Sequence, residues 1–408
     1  MAMLGQEEIA AEITLDGDIV PSGDYKNVAT PKTVLLTGGT GFLGAFVIAD
    51  LLRLTQARIY CLVRADSAAA AMQRLLDNLA YYGLPTETAA SRLFAVAGDL
   101  EQPELGLDFE THSFLAEHVD TIYHMAASVS FMSGYEKIRD INVNALKHVL
   151  RLACLRKTKA VHYVSTYAVF NSDAYTLAET VYETDLAGCG TGFIRGYDQS
   201  KWVAEKICQL ARDRGIPINI YRAGFISGDS FSGTHNKMDP IALLFAVVLN
   251  NRSAFEIDLL LHLTPVDYCS LAMVKLSLNP DAQNKTFHLV QEHPINCMDL
   301  LNWLREEDHE IEFVAFADWY DRLKALCRRK PGFFPVLYLF SLKENQSFGD
   351  GENISSLRFD SENVKRYLDP IYQCPKLERT ILRRYFDYIS APEREYQALP
   401  AVPAAVNA

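Results

Sequence analysis

The sequence predicts an α/β fold, with a doubly wound parallel sheet and a smaller, mostly helical lobe towards the C-terminus. Two observations support this class. From residue 33 to about 223, short β-branched and apolar runs alternate with amphipathic helical stretches, as in successive βαβ units. A glycine-rich stretch separates the first predicted strand from the first predicted helix of this series. The 408 residues are enough for one large domain with an appended lobe.

The predicted strands and helices follow one another in regular order. Strands are expected at 33–37, 58–63, 92–98, 120–126, 159–165 and 217–223. Helical periodicity marks 42–55, 67–82, 134–156 and 197–213. After residue 223 only isolated elements remain, such as DYCSLAMVKLSL (267–278), TFHLV (286–290) and FADWYDRLKALCRRK (316–330).

These patterns divide the chain into four parts. Residues 1–32 are a polar lead-in segment, and 33–230 form the main domain. Residues 231–392 form the C-terminal lobe, whose elements can interleave with the main domain. The Ala/Pro-rich stretch 393–408 is expected to be a disordered tail.

Composition excludes several classes of protein. The chain is 49% hydrophobic and 22% charged, which is typical of globular proteins. Its net charge of −12 gives no general attraction to nucleic acid or anionic membranes. The longest apolar stretches fall well short of the roughly 18 residues that a membrane span needs. The eight cysteines form no C-x-x-C pair, and the N-terminus lacks signal-peptide features. We therefore expect a cytoplasmic protein with reduced thiols and no metal site.

The glycine-rich stretch TGGTGFLG (37–44) has the spacing of a dinucleotide-binding loop between a strand and a helix. Such a loop lets a pyrophosphate approach the backbone and rest on the N-terminus of the helix. A P-loop is excluded because no Lys-Ser/Thr pair follows the last glycine. The pattern predicts a Rossmann-type cofactor domain. The residues expected to bind the cofactor here are Gly38, Gly39, Thr40, Gly41, Phe42, Leu43 and Gly44.

The residues after the second predicted strand indicate which dinucleotide binds. An acidic residue at this position usually binds the ribose hydroxyls of NAD, whereas an arginine can pair with the 2′-phosphate of NADP. Arg64 occupies this position, and Arg74 follows on the next helix. Asp66 is close enough in sequence to reach a ribose, but the arginines favour NADPH. Asp99 follows the third strand and is either a partner of the adenine amino group or an exposed loop residue.

A proton donor for carbonyl reduction is expected in FIRGYDQSKW (193–202). Tyr197 and Lys201 are four residues apart, so they lie on one face of a helix. A free tyrosine has a pKa of about 10, and a nearby lysine cation would lower it and could also bind the nicotinamide ribose. Ser165 and Thr166 end a predicted strand, where a hydroxyl can bind the carbonyl oxygen. Because they follow a dinucleotide-binding loop, we predict that Tyr197 and Lys201, with a hydroxyl group from Ser165 or Thr166, catalyse the reduction of a carbonyl group.

The motifs together resemble those of the extended short-chain dehydrogenase/reductase superfamily. The resemblance implies that Thr166, Tyr197 and Lys201 are catalytic and that Asn142 positions Lys201. It also implies that Leu100, Ala126 and Ala127 bind the cofactor. NVNAL (142–146) departs from the more usual NVxGT. The matching stretches are TGGTGFLG, AGDL (97–100), HMAA (124–127), INVNAL (141–146), YVSTYAVF (163–170), YDQSK (197–201) and YRAGFISG (221–228).

Within this superfamily the chain is most similar to the thioester reductase branch, and in particular to terminal reductase domains of the myxalamid type. AEITLDGDIVP (11–21), GYDQSKWVAE (196–205) and LTPVDY (263–268) carry this likeness. The resemblance implies NADPH-dependent release of an acyl or peptidyl thioester from the phosphopantetheine arm of an upstream carrier protein domain. The product would be an aldehyde, which a second NADPH could reduce to a primary alcohol, so that both two-electron and four-electron reduction stay open. Neither nucleic acid nor membrane is an expected partner.

Three other functions share part of this motif set. A fatty acyl-CoA reductase would use a free thioester. A nucleotide-sugar epimerase or dehydratase would retain a tightly bound NAD. A non-catalytic NADP-sensing regulator would keep the glycine loop, although the intact Tyr197/Lys201 pair argues against it.

The C-terminal lobe is expected to supply the acyl cleft and the surface that docks the carrier. GFFPVLYLF (332–340) is either a wall of this cleft or a buried core segment. Two basic clusters, CRRK (327–330) and RRY (383–385), are either docking sites or solvated helix ends.

Overall fold

The structure is a computed structural model that describes residues 3–23, 25, 29–87, 89–130, 133–186, 188–236, 238–307, 310–341 and 356–391. The predicted tail at 393–408 lies outside these residues. Two compact units are present. The first comprises Met1–Ile226, Thr264–Glu292 and Ser356–Pro375, and the second comprises Ser227–Leu263, His293–Ser355 and Lys376–Ala408.

Fourteen α-helices and fifteen strands lie in the described part of the chain. The helices are α1 (Gln6–Glu12), α2 (Phe42–Leu54), α3 (Ala68–Tyr81), α4 (Phe109–His118), α5 (Tyr135–Arg139), α6 (Ala145–Cys154), α7 (Gly196–Asp213), α8 (Pro240–Asn251), α9 (Val266–Ser277), α10 (Cys297–Glu306), α11 (Phe316–Arg329), α12 (Phe334–Ser341), α13 (Glu362–Tyr367) and α14 (Arg379–Ser390). The strands are β1 (Thr33–Thr37), β2 (Arg58–Val63), β3 (Leu93–Ala97), β4 (Thr121–His124), β5 (Ala160–Thr166), β6 (Thr180–Val181), β7 (Ile218–Ala223), β8 (Phe225–Ser227), β9 (Ser253–Ala254), β10 (Leu260–Leu261), β11 (Leu263–Pro265), β12 (Thr286–Leu289), β13 (Ile295–Asn296), β14 (Glu312–Phe313) and β15 (Arg358–Phe359). Among the described helices, none is long and apolar enough to cross a membrane.

Seven parallel strands form the central sheet of the first unit, in the order β3-β2-β1-β4-β5-β7-β12. β1 lies in the middle, where Leu35 is in register with Tyr60 of β2 and with Ile122 of β4. The chain builds the sheet outwards from β1 in one direction and then from β4 in the other. This is the switch point at which open α/β sheets bind ligands, outside the carboxyl ends of the strands. The predicted doubly wound parallel sheet is confirmed.

Apolar side chains on the central strands form the core of this unit. Val34, Leu36 and Ile59 are fully buried in one cluster together with residues of α2, α3 and α9. Strands covered on both faces consist of nearly continuous apolar runs, which explains why TVLLT and RIYCLV lack a strict alternation.

The boundaries of the two units differ from the predicted division into 33–230 and 231–392. TFHLV, predicted as an isolated element of the lobe, supplies β12, which pairs with β7 at Phe287 and Tyr221. α9 also belongs to the first unit, where the Ser270 hydroxyl donates to Asp50 of α2 at 2.6 Å. A buried four-residue strand has no distinctive periodicity, and its pairing partner is distant in sequence. These contacts could not be predicted from the local pattern.

The lead-in segment 1–32 is also part of the first unit. It includes α1, and the side chains of Ile9, Leu15 and Ile19 are buried. Burial of three apolar side chains holds this segment on the protein, unlike a free linker.

The second unit is mostly helical and has an aromatic core. Phe245 of α8 packs on Phe386 of α14, with ring centres 5.0 Å apart. Phe340 of α12 packs on Trp319 of α11 at 5.1 Å. Phe333 and Phe340 of the GFFPVLYLF segment are fully buried, so these two side chains belong to the core of this unit.

Candidate active site

The glycine loop lies where β1, β4 and the start of α2 meet. Gly38 has φ +83°, and a Cβ atom there would lie 2.7 Å from the backbone nitrogen of Ala126. A Cβ atom on Gly44 would lie 2.1 Å from the Gly38 carbonyl oxygen. Neither position accepts a side chain without backbone movement. The chain therefore turns tightly into α2, whose first N–H groups have no partner within the helix.

Asn78 of α3 supports this loop from the side. Its amide nitrogen donates to the carbonyl oxygens of Gly39 at 3.2 Å and Gly41 at 3.1 Å. Both carbonyl groups are thereby directed towards α3. Asn78 was not identified from the sequence. The available signal was an asparagine inside a helix, where this residue is unfavourable without a specific partner.

The end of β4 forms the other side of the crevice. The Ala126 backbone N–H donates to the Thr37 hydroxyl at 3.3 Å, and this hydroxyl is hydrogen-bonded to His124 Nδ1 at 2.8 Å. Burial, with a smaller contribution from the Lys201 charge, lowers the pKa of His124 to about 3. His124 is therefore neutral and supports the turn that leads to Ala126 and Ala127.

The two predicted phosphate-binding arginines lie close together after β2. The Arg74 guanidinium donates to the Arg64 carbonyl oxygen. The Arg64 side chain is 74% exposed and forms an ion pair with Glu101 at 3.7 Å. The structure therefore brings two cations to the carboxyl end of β2.

The adenine-binding candidates lie after β3. The Asp99 carboxylate accepts from the Glu101 backbone N–H at 3.0 Å, which makes a local turn. Leu100 is buried, and its carbonyl oxygen accepts from His148 Nδ1 at 3.0 Å. Asp99 is thus a turn residue in this structure, and its predicted contact with adenine stays a prediction.

The Thr166 hydroxyl lies next to the Tyr197 phenol, where its hydrogen-bonding influence lowers the pKa of the phenol against the larger, opposing effect of burial. Thr166 is the last residue of β5, and Tyr197 is in the first turn of α7. Thr166 also accepts from the Ala168 backbone N–H at 3.2 Å, which fixes its hydroxyl at the end of the strand. Two oxygen atoms that can donate protons therefore converge at the carboxyl edge of the sheet.

Lys201 lies one turn after Tyr197, but its ammonium group has its own partners. Nζ donates to the Val164 carbonyl oxygen at 2.8 Å and to the Tyr163 hydroxyl at 3.2 Å. Burial lowers the pKa of Lys201 to about 8. Tyr163 was not identified from the sequence, although it lies only two residues before the predicted Ser165/Thr166 pair.

The expected lowering of the tyrosine pKa is not observed. Burial, followed by the Asp198 carboxylate, raises the pKa of Tyr197 above its usual value, and only the hydrogen bond with Thr166 and the Arg195 charge oppose this shift. The desolvation of the phenolate therefore exceeds any stabilisation by nearby cations. Tyr197 holds its proton at neutral pH, as a proton donor requires.

Asn142 connects the end of β4 to α7. It lies in a π-helical turn, Asp140–Asn144, and its amide nitrogen donates to Ser200 Oγ at 2.9 Å. Its side-chain oxygen accepts from the Ser128 backbone N–H at 2.7 Å. The partner of Asn142 on α7 is therefore Ser200, the neighbour of Lys201, and Asn142 contacts the helix of Tyr197 and Lys201 at that point.

Ser165 and Thr166 have different roles in the structure. The Ser165 hydroxyl donates to the buried Glu205 carboxylate, which forms an ion pair with Arg222 at 2.7 Å. Ser165 is thus part of a buried polar network between β5, β7 and α7. Thr166, not Ser165, has its hydroxyl next to Tyr197.

The residues present fit a nicotinamide dinucleotide. The glycine loop presents bare backbone at Gly38 and Gly44, where there is no room for a Cβ atom, and the α2 N-terminus follows it directly. Arg64 and Arg74 supply positive charge after β2, and Thr166 and Tyr197 supply hydroxyl groups after β5. All these residues belong to the first unit.

Comparison with known proteins supports the same assignment. The NAD-binding family described as "Male sterility protein" matches residues 36–273. A linear gramicidin synthase of Brevibacillus parabrevis is 34% identical over 93% of this chain, and isonitrile lipopeptide synthase of Streptomyces coeruleorubidus is 33% identical over 97%. The chain spans only 7% and 27% of the lengths of these two relatives.

A solved structure matches nearly the whole fold. The terminal R domain from the myxalamid PKS-NRPS biosynthetic pathway is 32% identical, with a TM-score of 0.84 over 94% of this chain and 97% of that chain. The family match covers more than half of the chain, and the relatives are more than 30% identical over nearly all of it. The chain is therefore an NAD(P)-binding oxidoreductase of the male sterility protein family and belongs to the thioester reductase branch of the extended short-chain dehydrogenases/reductases.

Proposed function

We propose that this chain uses NADPH to release an acyl or peptidyl group from the phosphopantetheine arm of a carrier protein, first as an aldehyde and then as a primary alcohol. The observation that carries the proposal is that the Thr166 and Tyr197 hydroxyl groups lie side by side at the carboxyl end of β5. Two converging hydroxyl groups suit a carbonyl oxygen that gains negative charge. The relatives named as peptide synthases and the R-domain structure support a substrate attached to a carrier.

When bound, the reduced nicotinamide supplies the hydride that adds to the thioester carbonyl carbon. Thr166 and Tyr197 hold the carbonyl oxygen, and Tyr197 donates a proton to it as negative charge develops. The resulting hemithioacetal loses the carrier thiol by cleavage of its C–S bond, which leaves an aldehyde. A second equivalent of reductant converts the aldehyde to the alcohol with the same two hydroxyl groups.

Lys201 and Asn142 support this chemistry. The charged Lys201 ammonium would hold the nicotinamide ribose and would stabilise the phenolate that forms when Tyr197 gives up its proton. Asn142 acts through Ser200 to fix the helix that carries both residues. Gly38, Gly39, Thr40, Gly41, Phe42, Leu43 and Gly44 hold the pyrophosphate, with Ala126 and Ala127 on the opposite side.

The preference for NADPH over NADH rests on Arg64 and Arg74. Their proximity after β2 supports an ion pair with a 2′-phosphate, which NADH lacks. Asp99 and Leu100 bind the adenine end. The similarity to peptide synthases and to the R domain favours reduction over epimerisation and over a purely regulatory role.

The experiment is to incubate the chain with a short-chain acyl-pantetheine thioester and NADPH and to identify the product. We expect free pantetheine thiol together with an aldehyde or a primary alcohol. A carboxylic acid would indicate hydrolysis, and absence of turnover would contradict the proposed function. A coenzyme A thioester that reacts as fast as the carrier-bound thioester would favour the fatty acyl-CoA alternative.

A further inference from the structure

Residues 4–22 lie along the helices of the first unit, and we name them the N-terminal strap. Their buried apolar side chains are Ile9, Leu15 and Ile19. At the far end, the Ser22 carbonyl oxygen accepts from both the backbone N–H and the hydroxyl of Thr158, at 3.1 and 3.0 Å. The strap is therefore attached along its length, not only at one point.

The strap makes its most specific contact with α7. The side-chain amide of Gln199 forms two hydrogen bonds with the backbone of Leu4, one from the Leu4 N–H and one to its carbonyl oxygen, both at 3.1 Å. The same amide nitrogen donates to the Gly190 carbonyl oxygen at 2.9 Å. Gln199 is fully buried, so these bonds replace all contact with water. One side chain thus joins the strap, the 188–192 loop and the catalytic helix.

Apolar packing reinforces this junction. A Cβ atom on Gly190 would lie 2.9 Å from Ile9 Cγ2 and 2.7 Å from Trp202 Cζ3. Ile9 of α1 and Trp202 of α7 therefore meet at the backbone of Gly190 from two sides. Side chains packed this closely move together, because protein interiors have little free space.

Polar contacts continue along the strap to the other end of α7. Glu12 accepts from the Tyr135 hydroxyl at 3.2 Å and from Arg139 at 3.3 Å. Arg151 of α6 binds Asp18 at 2.7 Å. Arg214, just after α7, donates to the Ile19 carbonyl oxygen at 3.1 Å. The strap therefore contacts α7 near both of its ends.

We propose that the N-terminal strap positions the first turn of α7 through Gln199, and that turnover depends on this contact. The inference rests on the proposed roles of Tyr197 and Lys201. Gln199 lies between them, two residues from each, so its side chain points away from theirs and acts as a positioning residue. A displacement of about 1 Å at a reacting group can cost roughly 100-fold in rate.

Two variants remove the contact from opposite sides. Deletion of residues 2–12 removes Leu4 and α1, and Gln199→Met removes the three hydrogen bonds of the amide at nearly constant side-chain volume. Leu4→Ala is the matched control because it keeps the backbone groups that bind Gln199. We expect each test variant to lower kcat roughly 10- to 100-fold, with the KM for NADPH within about 2-fold of the wild type. Leu4→Ala should retain the wild-type kcat.

Combining the two changes distinguishes coupling from general damage. If the strap acts through Gln199, Gln199→Met should lower kcat much less in the shortened chain than in the full chain. If the combined variant loses kcat by the product of the two single losses, the two changes act independently and the proposal would be overturned. An unchanged kcat after the deletion would also overturn it. A rise in the KM for NADPH as large as the fall in kcat would also overturn it, because the cofactor site would then be disturbed as well.

Two readouts do not depend on activity. Amide hydrogen exchange in the first turn of α7 should become faster in both test variants and not in Leu4→Ala. Cys189 is the exposed member of the eight cysteines and adjoins Gly190. Its thiol should react faster in Gln199→Met, where the Gly190 carbonyl loses its partner, and in the deletion variant, where Gly190 loses the Ile9 side chain that packs on it. If both hydrogen exchange and thiol reactivity are unchanged, the proposed positioning role of the N-terminal strap would be overturned, even if the enzyme is active. A wild-type chain without thioester reduction would refute the proposed function, while these two readouts would still decide the role of the strap.

Discussion

Among single residues, Tyr197 and Lys201 are one helical turn apart, but their pKa values are shifted in opposite directions. Burial raises the pKa of the phenol and lowers the pKa of the ammonium group to about 8. Burial disfavours the charged form in each case, which is a phenolate for one and an ammonium for the other. Near neutral pH, Tyr197 therefore keeps its proton and Lys201 remains mostly charged.

This difference predicts a basic limb in the pH profile that belongs to Lys201. The ammonium is charged below its pKa, so kcat/KM should be high below pH about 8 and fall as the pH rises above it. Tyr197 should not titrate in this range, because its pKa is raised. The measurement is kcat/KM for the thioester from about pH 6 to 10. Lys206→Met, on the same helix, is the control and should keep the limb in place. A profile that is flat to about pH 10 would contradict this assignment.

Arg64 permits a test of cofactor preference. Arg64→Ala should raise the KM for NADPH roughly tenfold or more, because a hydrogen-bonded charge is worth about 1.5–3 kcal/mol. The KM for NADH should change little, since NADH has no 2′-phosphate. Arg53→Ala removes an exposed arginine on α2 and should affect neither cofactor. If both KM values rise equally in Arg64→Ala, Arg64 is a scaffold residue.

At the scale of elements, the predicted strands from 33 to 223 agree with the structure to within about two residues at each end. Bounded apolar runs and the glycine loop are local features, so they can be predicted from the sequence. Tertiary contacts cannot be predicted in this way. The pairing of Phe287 with Tyr221 and the attachment of Leu4 to Gln199 join distant segments, and no local pattern encodes them. The predicted direction of the Tyr197 pKa shift was wrong for the same reason, because it depends on burial by the whole unit.

The support of the glycine loop by α3 gives a prediction at this scale. Asn78→Leu removes two hydrogen bonds to the loop carbonyl groups, each worth about 1 kcal/mol. We expect the KM to rise roughly fivefold or more for NADPH and NADH alike, because both share the pyrophosphate. Gln73→Ala is the control, since Gln73 on the same helix donates to Asp77 one turn further on. A change confined to NADPH would place Asn78 at the 2′-phosphate instead.

For the molecule as a whole, the charge distribution restricts how the proposed carrier protein can dock if that partner is acidic. The chain carries a net charge of −12, so a productive encounter needs a local basic surface. In the RRY cluster, Arg383 is paired with Glu307, and Arg384 donates to the Ser230 carbonyl oxygen at 2.8 Å. Arg328 and Arg329 are exposed at the end of α11, so this cluster is the better docking candidate.

Reversal of both charges, Arg328→Glu with Arg329→Glu, tests this surface. The double variant should slow reduction of a carrier-bound thioester and leave a free pantetheine thioester unaffected. For the wild type, the carrier-dependent rate should also fall with added salt, because ionic screening weakens electrostatic steering. Equal losses on both substrates would indicate damage to folding or to the site. No loss on either substrate would place the docking surface elsewhere.

Reductive release is tested most sharply by following hydrogen from cofactor to product. The chain is given an acyl-pantetheine thioester and NADPH that carries deuterium at both C4 positions, and the product is analysed by mass spectrometry. We predict one deuterium on the carbonyl carbon of the aldehyde and two on the same carbon of the alcohol. Tyr197→Phe should form the labelled product about 10²–10⁴ times more slowly while binding NADPH as tightly as the wild type. An unlabelled product, or a Tyr197→Phe variant with full activity, would contradict this mechanism.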